Sequence, residues 1–220
     1  MTEKEVFEEL MHRIRCLQDK KQKVVLVGIN GIEGTGKTVF CSKFTQYLQS
    51  HQINAIHVSI DGFHNTKEIR YKQGRDAAKG YLEDAYDETA FADKVLKSSQ
   101  DKQPVFTEKI HDLETDELLY LEPIKLTPTS VLLTDGAYLF KDIFLPYWDL
   151  KIYLKTDFQV ALQRGIERDA AILGGAEQAK EKYKNRYHLA SAMYIHECAP
   201  ERKADIIINN TDFENLVIEK

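Results

Sequence analysis

Apolar residues recur at spacings of three and four from Val6 through Phe7, Leu10, Met11 and Ile14 to Leu17, which predicts an amphipathic N-terminal helix within residues 1–20. Lys23 to Asn30 (KVVLVGIN) is a short, continuous apolar run rich in β-branched residues, the pattern of a strand buried on both faces. A glycine-rich turn follows, and helical spacing returns from Thr38 to Leu48 through Val39, Phe40, Phe44 and Leu48. Further short apolar runs lie at Ala55 to Ile60, Val131 to Thr134, Leu150 to Leu154 and Ala204 to Ile208, separated by helical or irregular sequence. Strands alternating with helices imply right-handed crossovers, so the expected fold is α/β: a mostly parallel sheet with helices on both faces. Two segments fit that sheet poorly, the polar Asn65 to Asp87 and the charged, helix-prone Gln159 to Arg186, the latter reading as a helical lid over residues 159–186.

A length of 220 residues suffices for one substantial core, and one unit spanning 1–220 is expected. With 30 Lys and Arg against 35 Asp and Glu, the formal charge of -5 argues against a general nucleic-acid binder. The start MTEKEVFEELMHRIRC has no apolar core of signal-peptide length, and no later stretch approaches a membrane span, so a cytoplasmic protein without a membrane partner is expected. Cys16, Cys41 and Cys198 are widely spaced and odd in number, which indicates neither a disulfide framework nor a zinc site.

The chemistry concentrates at Gly31-Ile32-Glu33-Gly34-Thr35-Gly36-Lys37-Thr38, a GxxxxGK[ST] loop between a predicted strand and a predicted helix. Glycines let the backbone turn its N–H groups inward, the helix N-terminus adds positive charge, and together they hold a polyphosphate. Lys37 supplies a cation to the β- and γ-phosphates, and the Thr38 hydroxyl suits Mg²⁺. The expected fold is therefore that of the P-loop NTPases, with ATP and Mg²⁺ as cofactors. A guanine-reading N/TKxD is absent, since Asn209-Asn210-Thr211-Asp212 lacks the lysine. Asp61, in Asp61-Gly62-Phe63-His64, stands at the end of the second long strand, where a carboxylate can take the proton of an attacking hydroxyl; a helix cap or turn residue is the alternative. Asp135 follows Val131 to Thr134 in the same way, at the position of a Mg²⁺-orienting carboxylate. Arg164 and Arg168 lie four apart, so a helix would present them from one face, either to a transferring phosphoryl group or to solvent.

From about Lys23 to about Asp212 the chain resembles the uridine kinase and phosphoribulokinase group of P-loop kinases. The elements that carry the resemblance are GIEGTGKT, Asp61-Gly62-Phe63-His64, Pro104-Val105-Phe106, the VLLTDG strand, the Arg164 to Asp169 helix and Ala204-Asp205-Ile206-Ile207-Ile208. The resemblance implies an ATP-dependent kinase with Asp61 as catalytic base and Arg164 and Arg168 closing over the phosphates. It further implies Asp84 as a contact to ribose hydroxyls and His111 as a contact to a base. His64, Arg75 and Arg186 are additional candidates for substrate or anion contact. Three departures stand out: His64 where uridine kinases usually carry tyrosine, which is closer to pantothenate and fructose kinases; Asp135 where glutamate is common; and Gly165 in place of the second of two adjacent lid arginines. The expected acceptor is a small molecule, a nucleoside first and a sugar or pantothenate-like compound second. A nucleotide-binding regulatory protein without turnover is the reading from another class, and a homo-oligomer is left open.

Overall fold

The computed structural model describes residues 1–220. Its centre is a six-stranded sheet built from β1 (Val25–Asn30), β2 (Ala55–Ser59), β5 (Val131–Gly136), β6 (Leu150–Lys155), β7 (Ile206–Asn209) and β8 (Val217–Ile218). The spatial order is β2-β5-β1-β6-β7-β8, parallel throughout except for β8, which pairs antiparallel with β7 at the edge. In register, Val25 faces Val131 and Ile29 faces Asp135, so β1 and β5 end side by side at the same rim. A separate two-stranded hairpin, β3 (Val105–Phe106) with β4 (Ile124–Lys125), lies outside the main sheet.

Helices cover both faces, as the buried-strand pattern requires. On one side α1 (Glu3–Lys21) and α2 (Lys37–Ser50) pack Phe7, Leu10, Ile14, Phe40 and Phe44 against alternate residues of β1, β5 and β6. Thr2 caps α1 in a full capping box with Glu5, which starts the helix where the apolar stripe begins. Val39 belongs to the apolar pattern by spacing, yet it is 59% exposed, because at that turn α2 faces the cleft rather than the core.

The other face carries α4 (Ala78–Asp84), which lies in the chain between the short helices α3 (Lys67–Arg70) and α5 (Glu88–Phe91), and α8 (His188–Cys198), which follows α6 (Phe158–Leu173) and α7 (Ala176–Lys182). Tyr138, Phe140 and Tyr194 fill the core on this side. The two segments that fit the sheet poorly by sequence are the ones outside it: Asn65 to Asp87 holds α3 and α4, and Gln159 to Arg186 holds α6, α7 and a wide helical turn at Tyr183–Tyr187. Asp157 caps α6 through Gln159 N at 2.8 Å and Val160 N at 3.3 Å, and Gly174, at φ 92°, ends it. A four-residue helix, α9 (Pro200–Lys203), leads into β7. No helix is long and apolar enough to cross a membrane.

Candidate active site

The loop between β1 and α2 lies at the carboxyl end of the sheet, between the ends of β5 and β6 and with β2 beyond β5, where ligands bind in open α/β sheets. Helix α2 starts at Gly36 with φ 92° and no side-chain cap, so its first N–H groups are left for a ligand. Glu33, Gly34, Gly36, Lys37 and Thr38 line a cleft of about 300 Å³, together with Asp61, Asp135, Arg164 and Arg168. Gly31, Ile32 and Thr35 support the loop from behind, the Ile32 carbonyl accepting from Thr35 Oγ1 at 2.6 Å and from Lys37 Nζ at 2.9 Å. Gly34 is obligatory on two counts: its φ is 84°, and a Cβ there would lie 2.1 Å from the Ala161 carbonyl oxygen. Helix α6 therefore rests directly on the phosphate loop.

Thr38 Oγ1 donates to Asp135 Oδ2 at 2.6 Å, and His57 Nε2 lies 2.7 Å from Asp135 Oδ1. Burial alone would raise the Asp135 pKa, but these bonds and the Lys37 cation hold it below the usual carboxylate value, so the group stays ionised. A hydroxyl and a carboxylate are the hard oxygen donors that Mg²⁺ takes, and the pair fits the ion beside a triphosphate. His57 escaped sequence reasoning because it lies 78 positions from its partner and in no motif.

Asp61 lies in a short helical turn after β2, its N–H directed at Ser59 Oγ at 3.3 Å. Its carboxylate opens onto the solvent-filled cleft, while the walls enclose it. That enclosure pushes its pKa up; His64 and the bond from Tyr86 oppose the rise, and the Glu33 and Asp135 charges add to it. Tyr86 Oη donates to Asp61 Oδ1 at 3.0 Å and fixes the carboxylate. Burial in turn lowers the His64 pKa, and its ring holds the Asp61 carbonyl at 2.7 Å.

The two lid arginines differ. Arg164 donates to the Asn210 and Thr211 carbonyls, both at 2.9 Å, and stacks 3.6 Å from the centroid of the Phe213 ring, which lines the same cleft. Arg168 donates to Asp169 through Nε at 2.7 Å and to Tyr183 Oη at 3.1 Å, and it lines the cleft together with Asp61. Gly165 between them meets Tyr183 rather than phosphate: a Cβ would lie 2.2 Å from the Tyr183 ring. A side chain at that position would require the Tyr183 ring to move.

A second cleft of about 400 Å³ adjoins the first and shares Glu33, Asp61 and Arg168 with it. His64, Tyr71, Tyr81, Tyr187, Arg70 and Arg186 form much of its wall. Three further candidates are placed elsewhere. Asp84 is buried against Lys72 Nζ and Gln73 Nε2, both at 2.6 Å, and Arg75 is exposed; neither lines either cleft. The His111 side chain is fully buried, with Nε2 on Asp116 at 3.1 Å, and also lies off both walls.

The sequence model of the phosphoribulokinase / uridine kinase family matches residues 26–216. A uridine kinase of Anoxybacillus flavithermus is 26% identical over 204 residues, covering 90% of this chain and 92% of that protein. Among solved structures, a putative fructose transport system kinase from a Silicibacter species superposes with a TM-score of 0.72 at 18% identity, covering 90% of this chain and 95% of the other. A D-glycerate 3-kinase from Cryptococcus neoformans does so with a TM-score of 0.61 at 12% identity, covering 97% and 99%. These two structural likenesses show the shared fold.

Proposed function

This chain belongs to the phosphoribulokinase / uridine kinase family, and we propose that it transfers the γ-phosphoryl group of ATP to a hydroxyl of a small acceptor. One observation carries the reading: a phosphate-loop cleft and a second cleft meet at Asp61, Glu33 and Arg168. A carboxylate at such a junction stands between donor and acceptor.

In this reading the uncapped start of α2 and Lys37 hold the phosphates. Thr38 and Asp135 would hold Mg²⁺, which supplies neutralising charge to the phosphate oxygens when bound. Asp61 takes the acceptor hydroxyl's proton as the new O–P bond forms and the bond between the γ-phosphorus and its bridging oxygen breaks, releasing ADP. Arg168 offsets the charge on the transferring group. Helix α6, seated on Gly34, keeps bulk water from the junction.

A nucleoside acceptor is supported by the name of the Anoxybacillus relative and by aromatic walls that suit a base. A sugar or pantothenate-like acceptor is supported by His64 beside the base, the departure already seen in the sequence. The test is calorimetric titration of Mg·ATP together with ADP release over uridine, cytidine, fructose and pantothenate. Wild-type protein should bind ATP and turn over one acceptor class, and Lys37→Ala should lose turnover and weaken ATP binding. Full turnover in Lys37→Ala would remove the phosphate loop from the chemistry.

A further inference from the structure

Arg186 is the one arginine of the second cleft that forms no salt bridge; a carboxylate that feels its charge, Asp76, is paired with Lys182 and exposed. It is 4% exposed, its Nε makes no hydrogen bond, and its guanidinium lies over the rings of Tyr81 at 4.9 Å, Tyr71 at 5.1 Å and Tyr187 at 5.8 Å. The other arginines there are paired, Arg70 with Asp116 at 3.1 Å and Arg168 with Asp169 at 2.7 Å. Neighbouring carboxylates are committed as well. Asp76 pairs with Lys182 at 2.9 Å, Asp84 with Lys72, Asp169 with Arg168 and Tyr183, and Glu33 accepts from Tyr81 Oη at 3.0 Å.

Burying a guanidinium without a counter-ion is costly, and the faces of three tyrosines recover only part of the lost hydration. This group lies on the wall of the second cleft, where an anionic ligand would supply the counter-charge it lacks. We infer that Arg186 holds an oxyanion of the acceptor, a carboxylate or a phosphate on the end away from the reacting hydroxyl. This rests on the phosphoryl-transfer reading and narrows it: the acceptor is a hydroxylated anion, whether or not it also carries a base.

The arrangement supplies the direction. Tyr81 lies under Arg186, and its hydroxyl reaches Glu33 at the junction of the clefts, so one side chain spans from the anion site to the reacting centre. An acceptor anchored on Arg186 extends along Tyr81 toward Asp61. A planar fork meets a carboxylate or phosphate bidentately, and with its surroundings desolvated the contact discriminates strongly against a neutral analogue.

The experiment uses compounds matched in all but charge: glycerol against glycerate and glycerol 3-phosphate, ribose against ribose 5-phosphate, pantothenol against pantothenate, with uridine and cytidine as neutral nucleosides. ADP release is measured for wild type, Arg186→Gln and Arg186→Lys. In at least one set an anionic member should exceed its neutral partner in kcat/KM by on the order of 10²-fold. Arg186→Gln should shrink that preference below about tenfold, mainly through KM, and Arg186→Lys should keep part of it. Glycerate and glycerol 3-phosphate separate carboxylate from phosphate. Arg186→Met, which keeps an apolar stem among the tyrosines, repeats the test if glutamine disturbs packing. The inference is overturned if a neutral compound equals or exceeds every anionic one, or if Arg186→Gln leaves the preference intact. Where nothing turns over, calorimetry with Mg²⁺ and a non-hydrolysable ATP analogue decides: binding of an anionic compound lost in Arg186→Gln supports the assignment, and no anionic binding overturns it. Failure to bind the ATP analogue at all would instead sink the kinase reading.

Discussion

Replacing Asp61 by Asn separates chemistry from architecture at one atom. The structural duties of Asp61 survive the change: its N–H still meets Ser59 Oγ, and the Asn carbonyl still accepts from Tyr86 Oη. What disappears is a base. Turnover should fall by about 10²- to 10⁴-fold, the usual contribution of a positioned general base, equivalent to roughly 3 to 5.5 kcal/mol of barrier at 1.36 kcal/mol per tenfold. Mg·ATP affinity should stay within a few-fold. Stability should move the other way. Enclosure in the cleft, with Glu33 and Asp135 nearby, raises the Asp61 pKa over its ordinary value of 3.8. A raised folded-state pKa means the folded protein disfavours the ionised form, so stability is lost as pH rises from the unfolded value through the folded one. Asn carries no such penalty. The variant should therefore melt higher than wild type at pH 7, and the difference should vanish below the unfolded-state pKa. The same shift places the acidic limb of wild-type kcat/KM above the ordinary carboxylate range. The assays are ADP release, calorimetry and thermal melts at pH 3.5 to 8 where the protein stays soluble. Intact turnover, or a lower melting temperature at pH 7, would refute the reasoning.

Arg168→Ala should lower kcat by about 10³ with little effect on ATP affinity, as expected of a charge that acts on the transferring group; an unchanged kcat would return Arg168 to its structural pair with Asp169. His57→Ala removes the hydrogen-bond partner of one Asp135 oxygen and should raise the Mg²⁺ concentration needed for half-maximal activity by roughly 10- to 100-fold, read from a metal titration in which an unshifted midpoint would remove His57 from the site. Gly165→Ala drives a methyl into the Tyr183 ring and should cost about 1 to 3 kcal/mol, a fall of roughly 2 to 12 °C in Tm for a chain of this size; an unchanged Tm would show that the ring has room to move.

The long parallel strands were legible because burial on both faces leaves a continuous apolar run, and β1 and β5 are buried at every position. The hairpin of β3 and β4 and the edge strand β8 were not, since each strand is two residues long and too short to show a period. The phosphate loop and Asp61 were readable because each comes just after a strand, and Asp135 because it lies at the end of one, where the strand fixes the direction of the chain. Asp84 and His111 were assigned by resemblance across segments that no strand anchors, and the structure surrounds them with Lys72, Gln73 and Asp116 instead of cleft. His57, Tyr81 and Phe213 had no signal at all, since their roles arise from partners 48 to 78 positions away or, for Phe213 against Arg164, from a loop beyond the last parallel strand.

Local rules are kept in the sheet and broken around the clefts. The core strands, the capping box of α1 and the capped start of α6 each do what their sequence prefers. Asp61 holds an ionisable group where its charge is disfavoured, Arg186 holds a charge without a salt bridge, and Gly165 leaves out the side chain that the two-arginine pattern provides. The third exception supports the second. With no Cβ at position 165 the Tyr183 ring closes against α6, and Tyr183 opens the wide turn that carries Arg186 and Tyr187 to the cleft wall. A phosphate-binding arginine at 165 and the present seat of Tyr183 are mutually exclusive. On the proposed assignment of Arg186, the contact that leaves no room for a second arginine at position 165 is the same one that seats the turn presenting Arg186 on the acceptor side.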